Sequence, residues 1–228
     1  MKSTFSLNTL LTAMRNVGCG DPHPVFAGGL RYVPPSAKQQ ITREAFEELS
    51  PYGFTQGDGF TPEFEDVLHL IDQPAKKFVA YARNTTEQIG VLVAVKGHSK
   101  VSVVCRGAQV ELAGIDDAHP ADALVALLPE CPPAAIKPFS LPQGDFRDPP
   151  ASDIFDDAPA RSREAQELDA LFQQPHYGVG QLQTEGKTVS YLDLKAGRVG
   201  IAVDDGYISV LPGENKNLSH KLKAATPS

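Results

Sequence analysis

Apolar residues recur along the chain in two rhythms, and the change from one to the other marks out the elements. Helical spacing comes first, at Leu7, Leu10, Leu11, Met14 and Val17, one stripe behind a candidate N-cap, Ser6. Asp21-Pro22-His23-Pro24 stops that helix. A short strand is predicted within 26–33, ahead of Pro34-Pro35, then a polar helix over 42–49 and a Gly/Pro-rich loop over 51–59. The pattern then sharpens. Thr61 caps a helix with Pro62 in its first turn, where a missing N–H does no harm, and Phe64, Val67, Leu68, Leu70 and Ile71 follow at helical spacing. Four strand-like runs succeed it, at 77–82, 88–95, 100–105 and 108–113, divided by turns around Asn84-Thr85-Thr86, Lys96-Gly97-His98 and Arg106-Gly107. Connections this short permit only antiparallel pairing, because a parallel crossover needs a dozen residues or more. An apolar helix is predicted over 120–128.

The same order then returns. Ser162 caps a helix carrying Leu168, Leu171 and Phe172, and Glu164…Leu168…Leu171-Phe172…Gln174-Pro175 matches Glu63…Val67…Leu70-Ile71…Gln73-Pro74 without a gap. Strands are predicted at 177–184, 188–194, 198–203 and 207–211, with an Asp-Gly hairpin signal at Asp205-Gly206, and a last helix at 215–223. The expected fold class is therefore α+β. A quasi-two-fold duplication of helix, four-stranded antiparallel meander and helix forms one domain over 1–228, with a central sheet and helices. The first repeat runs over about 61–128, a Pro- and Asp-rich linker over about 129–160, and the second repeat over about 162–223. An antiparallel meander buries one face and leaves the other wet, so a broad sheet face is expected as a platform for another protein.

Composition narrows the classes. The chain has 228 residues, 41% apolar and 21% charged, enough for a core and too apolar for wholesale disorder. Its 21 Lys and Arg against 28 Asp and Glu leave a net charge of −7, which argues against a nucleic-acid footprint and a polybasic membrane patch. No window of about 18 apolar residues exists for a membrane-spanning helix. Val17-Gly18-Cys19 faintly echoes a lipoprotein cleavage site, but Asn8, Thr9 and Arg15 interrupt the apolar run before it. Three scattered cysteines (Cys19, Cys105, Cys131) form neither a disulfide framework nor a C-x-x-C pair, so a reducing cytoplasm is expected.

Candidate chemistry is sparse. The six histidines (His23, His69, His98, His119, His176, His220) never fall at metal-binding spacing. There is no nucleophile elbow or P-loop, and Gly178-Val179-Gly180 lacks the third glycine of a dinucleotide fingerprint. Asp116-Asp117 and Asp204-Asp205 sit where Asp favours turns. Cys105 reads as a small buried residue. The expectation is no enzyme, no catalytic residue, no cofactor and no metal.

Several motifs in order carry a likeness. They are Pro24-Val25-Phe26, Leu30-Arg31-Tyr32, Ile71-Asp72-Gln73-Pro74, Gly90-Val91-Leu92-Val93-Ala94, Leu127-Leu128-Pro129, Gly180-Gln181-Leu182, Ala196-Gly197-Arg198 and Tyr207-Ile208-Ser209-Val210-Leu211-Pro212. With the repeat, the chain resembles the EspG family, the cytosolic chaperones of actinobacterial type VII (ESX) secretion. The resemblance implies binding of a PE–PPE heterodimer through the PPE subunit, whose apolar tip is shielded and kept soluble for export. It implies no nucleic-acid or membrane partner, and points to the central sheet and the second half's helical region for the interface. The candidate contacts are Gln181 and Gln183, which alternation places on one face opposite Leu182, with Tyr191, Asp193, Arg198 and Tyr207. Among these Tyr191, Arg198 and Tyr207 are favoured, because Tyr and Arg dominate hot spots. Two alternatives stay open: a homodimer pairing through a free sheet face, and a small-ligand enzyme with polar residues such as His176 and Asp193 converging in a pocket.

Overall fold

The computed structural model describes residues 2–29, 34–147 and 161–223. These divide into two compact units, one of residues 1–81 and 87–128, the other of residues 82–86 and 129–228.

The first unit runs through β1 (Lys2–Ser6), α1 (Leu7–Asn16), α2 (Lys38–Leu49), β2 (Thr55–Gln56), β3 (Gly59–Phe60), α3 (Pro62–Asp72), β4 (Lys76–Asn84, which belongs to this unit up to Tyr81), β5 (Gln88–Lys96), β6 (Ser99–Arg106), β7 (Gln109–Gly114) and α4 (Pro120–Ala126). Its main sheet has the order β1-β7-β6-β5-β4, while β2 and β3 form a small hairpin of their own. The helices begin where the caps place them: Ser6 Oγ accepts from the Thr9 N–H at 3.1 Å, and Thr61 caps α3 ahead of Pro62. Register then sets the core. Phe5, Val110 and Cys105 lie in one cross-strand row, and Ser3, Leu112, Val103 and Leu92 in the next. Residues of both rows meet Leu7, Leu10 and Leu11 of α1 and Phe64, Leu68 and Ile71 of α3 in one apolar cluster. The alternate residues Val91, Val93 and Val104 point the other way and are also buried, where α4 packs on β5 and β6 with Leu124 and Val125.

The second unit holds β8 (Phe139–Pro142), α5 (Gln143–Arg147), α6 (Arg163–Gln173), β9 (His176–Thr184), β10 (Lys187–Leu194), β11 (Gly197–Asp204), β12 (Tyr207–Pro212) and α7 (Asn215–Lys223), in the sheet order β9-β10-β11-β12-β8. On one face Leu192, Val199, Ile201, Ile208 and Val210 pack against Ala165, Leu168 and Leu171 of α6. On the other, α7 lies on β9, β10 and β11, and a Cβ at Gly200 would overlap Leu218 of that helix.

The helices and both meanders therefore stand close to where periodicity put them, but four expectations change. Residues 24–29 form a 3-10 helix rather than the start of a strand, with the Phe26 N–H donating to the His23 carbonyl at 2.9 Å; residues 30–33 lie outside those described. The loop over 51–59 contains the small hairpin. The segment over 129–160 is not only linker: β8 lies in it and pairs antiparallel with β12 from Tyr207↔Pro142 to Val210↔Phe139, followed by the short α5. Residues 148–160, with most of its acidic run, lie outside those described. Finally, neither sheet leaves a whole face wet. Continuous buried stretches such as 91–94 in β5 and 101–105 in β6 mark strands covered on both sides.

Candidate functional site

Chemistry on the second unit starts from one cross-strand pair. The tight β10–β11 hairpin sets Asp193 opposite Arg198. The carboxylate takes two parallel bonds from the guanidinium, Nε to Oδ1 at 2.7 Å and Nη2 to Oδ2 at 2.9 Å. The guanidinium carbon lies 4.0 Å above the Tyr191 ring centroid, and Nη2 also donates to the Pro129 carbonyl at 2.9 Å. Room for these side chains comes from the neighbouring strand, where a Cβ at Gly178 would overlap Asp193 and one at Gly180 would overlap the Tyr191 ring. The Arg198 backbone ties down the approach to the second unit: its N–H donates to the Pro132 carbonyl, and its carbonyl accepts from Ala134 and Gly213.

This cluster is buried, with Arg198 only 2% exposed. Burial pushes the Tyr191 hydroxyl up to about 12. Burial pulls Arg198 down, but the Asp193 hydrogen bond and the charges around it outweigh that, so its pKa rises and it stays protonated. The bonds from Arg198 Nε and Nη2 all end on groups of this protein, which makes the cluster an internal clasp. This corrects the expectation for three candidates. Tyr191, Asp193 and Arg198 are inside the fold and offer no surface to a partner, because opposite charges facing each other across a hairpin neutralise one another in the interior.

The other three candidates stand at the surface. Along β9 the alternation holds: Leu182 is buried, while Gln181 is exposed and Gln183 partly so, and Gln183 Nε2 donates to Gln181 Oε1 at 2.8 Å. The same outward row carries Tyr177, 52% exposed, and Val179. Tyr207, 54% exposed, opens β12 beside the Asp205-Gly206 turn. Phe172, at the end of α6, and Val203, at the end of β11, are exposed as well. Among the described residues, the exposed large apolar side chains thus all belong to the second unit. Sequence reading missed Phe172, Tyr177, Val179 and Val203 as surface candidates, although the outward parity of Gln181 already placed Tyr177 and Val179 beside it.

Among the described residues no arrangement points to catalysis. Among the described residues no group of three or more His, Cys, Asp or Glu is placed to hold a metal ion. His119 Nδ1 caps α4 by accepting from Ala121, and His23 Nδ1 accepts from Val25, so both serve backbone. Burial raises all three thiols, Cys105 to about 12 and Cys19 to about 11 with help from Asp72, which leaves none as a ready thiolate. No described helix is long and apolar enough to cross a membrane.

Comparison with known proteins agrees with this geometry. The profile of the EspG family matches residues 6–224. No curated protein matches the chain. Among solved structures the chain is similar to the Mycobacterium tuberculosis type VII secretion system chaperone EspG5, determined in complex with a PE25–PPE41 dimer. The TM-score is 0.69 and the identity 14%, over 98% of this chain and 95% of that one. At that identity the likeness is one of fold.

Proposed function

The chain belongs to the EspG family, and from that membership we propose that it is a chaperone of type VII secretion, acting in the cytoplasm without catalysis. It binds a PE–PPE heterodimer through the PPE subunit and covers the apolar tip of that subunit until export. The observation that carries this reading is the one-sided distribution of apolar surface. Phe172, Tyr177, Val179, Val203 and Tyr207 stand in water on the second unit, Tyr177 and Val179 side by side in one row of β9, and neighbouring exposed apolar side chains offer a partner a place to dock. The binding residues are the outward row of β9, namely Tyr177, Val179, Gln181 and Gln183, with Tyr207 on the neighbouring hairpin. Gln181 and Gln183 supply polar contacts around the apolar anchors, as interfaces require.

The two units are copies of one folding pattern within a single functional domain. Each has a helix, a four-stranded meander and a closing helix, and each adds a fifth strand to the last strand of its meander: β1 beside β7, β8 beside β12. The repeat thus reaches back to Lys2 and Phe139, before the boundaries that periodicity suggested.

The test is co-expression with PE–PPE pairs from the same genome. A single co-eluting peak in size-exclusion chromatography is expected with the cognate pair, lost on Tyr177→Glu. Separate elution with every pair overturns the proposal. So does a stable homodimer in light scattering that no pair dissociates, the outcome expected if the same apolar side chains serve self-association.

A further inference from the structure

A pocket of about 380 Å³ lies in the first unit, between segment 52–54, the first turns of α3, and the sheet at β1, β6 and β7. That size falls at the lower end of small-molecule sites. Its walls are Phe54, Phe64, Val67, Val101 and Leu112. Phe54 and Phe64 stack with centroids 4.3 Å apart and planes 8° from parallel, so part of the wall is a pair of aromatic rings held in place before anything binds.

Its polar groups are few, and one of them lacks a partner. Thr61 Oγ1 accepts from the Phe64 N–H as the cap of α3, and the Tyr52 hydroxyl donates to the Thr4 carbonyl. Ser3 is different. It is 2% exposed, shares a row with Leu112, and lines the pocket, yet its hydroxyl has no hydrogen-bond partner among the described residues. The hydroxyl is not sealed off: it opens onto the pocket, where water or a ligand can reach it, and it is free to hydrogen-bond either. The one ionisable side chain on the wall besides the tyrosine is the Glu63 carboxylate, and no cation accompanies it. An anionic ligand would meet repulsion and no counter-charge.

We propose that this pocket binds a small uncharged molecule of one or two aromatic systems carrying one hydrogen-bonding group, its rings against Phe54 and Phe64 and its polar group on Ser3 Oγ. The site is independent of the partner surface proposed above, which lies on the other unit.

The experiment is a fluorescence titration of the whole chain, without partner, with N-phenyl-1-naphthylamine, a neutral molecule whose two aromatic systems, a naphthalene and a phenyl, are joined by a single N–H. A saturable rise in emission is expected. Ser3→Ala removes only the hydroxyl and weakens binding about 3- to 10-fold, the effect of one hydrogen bond. Val67→Trp fills the pocket and abolishes the rise, with an unchanged circular-dichroism melt confirming that the variant folds. Tyr177→Glu leaves binding intact, and the sulfonated analogue 8-anilinonaphthalene-1-sulfonate binds at least 10-fold more weakly. The proposal is overturned by an absent or unsaturable signal, by Ser3→Ala binding as tightly as the parent chain, or by a signal that Tyr177→Glu removes and Val67→Trp keeps.

Discussion

The rings of the first unit close on one another. Phe46 stacks on Phe60, Phe60 meets Phe64 edge-on, Phe64 stacks on Phe54, and Tyr52 and Phe5 complete the chain of contacts. The second unit treats its large side chains the other way. Tyr191 is buried beneath a guanidinium, while Tyr177 and Tyr207 stand more than half exposed. Both units are five-stranded sheets clothed by helices, so architecture does not explain the difference. It lies in what fills the middle. The first unit fills its core with apolar rows, whereas the second gives part of its interior to an ion pair and leaves apolar side chains in water. Exposure of that kind lowers solubility unless something covers it, so the contrast separates a unit that turns its large side chains inward from one that leaves several in water.

Three measurements break or sharpen the contrast. The largest effect is expected at the clasp. Asp193→Ala leaves the Arg198 charge buried without its partner, and should destabilise the chain by about 3–5 kcal/mol in denaturant titration. Replacing both partners by Leu and Met should recover much of that loss, because the cost is in the orphaned charge and not in the missing attraction. Equal destabilisation by the single and the double variant would show that the pair is held for its attraction after all. Next, Tyr177→Glu should cost about 2 kcal/mol of PE–PPE affinity by calorimetry, the scale of an interface hot spot. Its effect on stability should stay within about 0.5 kcal/mol, since the side chain is exposed. The same change at Lys96 on the first unit, also exposed, should leave affinity unchanged. The smallest effect is a pH dependence. The Tyr191 hydroxyl is held up at about 12 in the fold against an ordinary value of 10, so the folded state keeps a proton that the unfolded state loses. That stability is fully present below pH 10 and is lost as pH rises from 10 towards 12. Tyr191→Phe should flatten this fall, measured as thermal midpoints between pH 9 and 11.

Much of the fold was legible because its signals are local. Ser6, Thr61 and Ser162 cap helices where they were expected to, and a turn of two or three residues forces each meander to be antiparallel. Along β9 the side-chain period of two was enough to put Gln181 and Gln183 opposite Leu182. The candidate site was only half legible. Asp193 and Arg198 looked like solvated surface because a charged residue in a strand usually is. Their burial depends on a pairing that residue type alone does not state, although Gly178 and Gly180, two residues apart in one strand, were a trace of it: adjacent gaps on one face make room for something large. The strands β1 and β8 left no such trace. Lys2–Ser6 has one apolar residue and Phe139–Pro142 is four residues long, so neither shows a period.

The amino-acid sequence by itself determined the order of the longer helices and the two meanders, the caps, the antiparallel sense of each meander and the lack of any recognisable catalytic motif, all of which rest on interactions between residues a few positions apart. The tertiary structure alone decided which strands are buried on both faces, which fifth strand completes each sheet, that an aspartate and an arginine belong inside, and which side chains remain in water. Those outcomes depend on contacts between residues up to about a hundred positions apart, such as Lys2 with Ala113 and Phe139 with Val210. Their closure entropy is offset only when many such contacts form together.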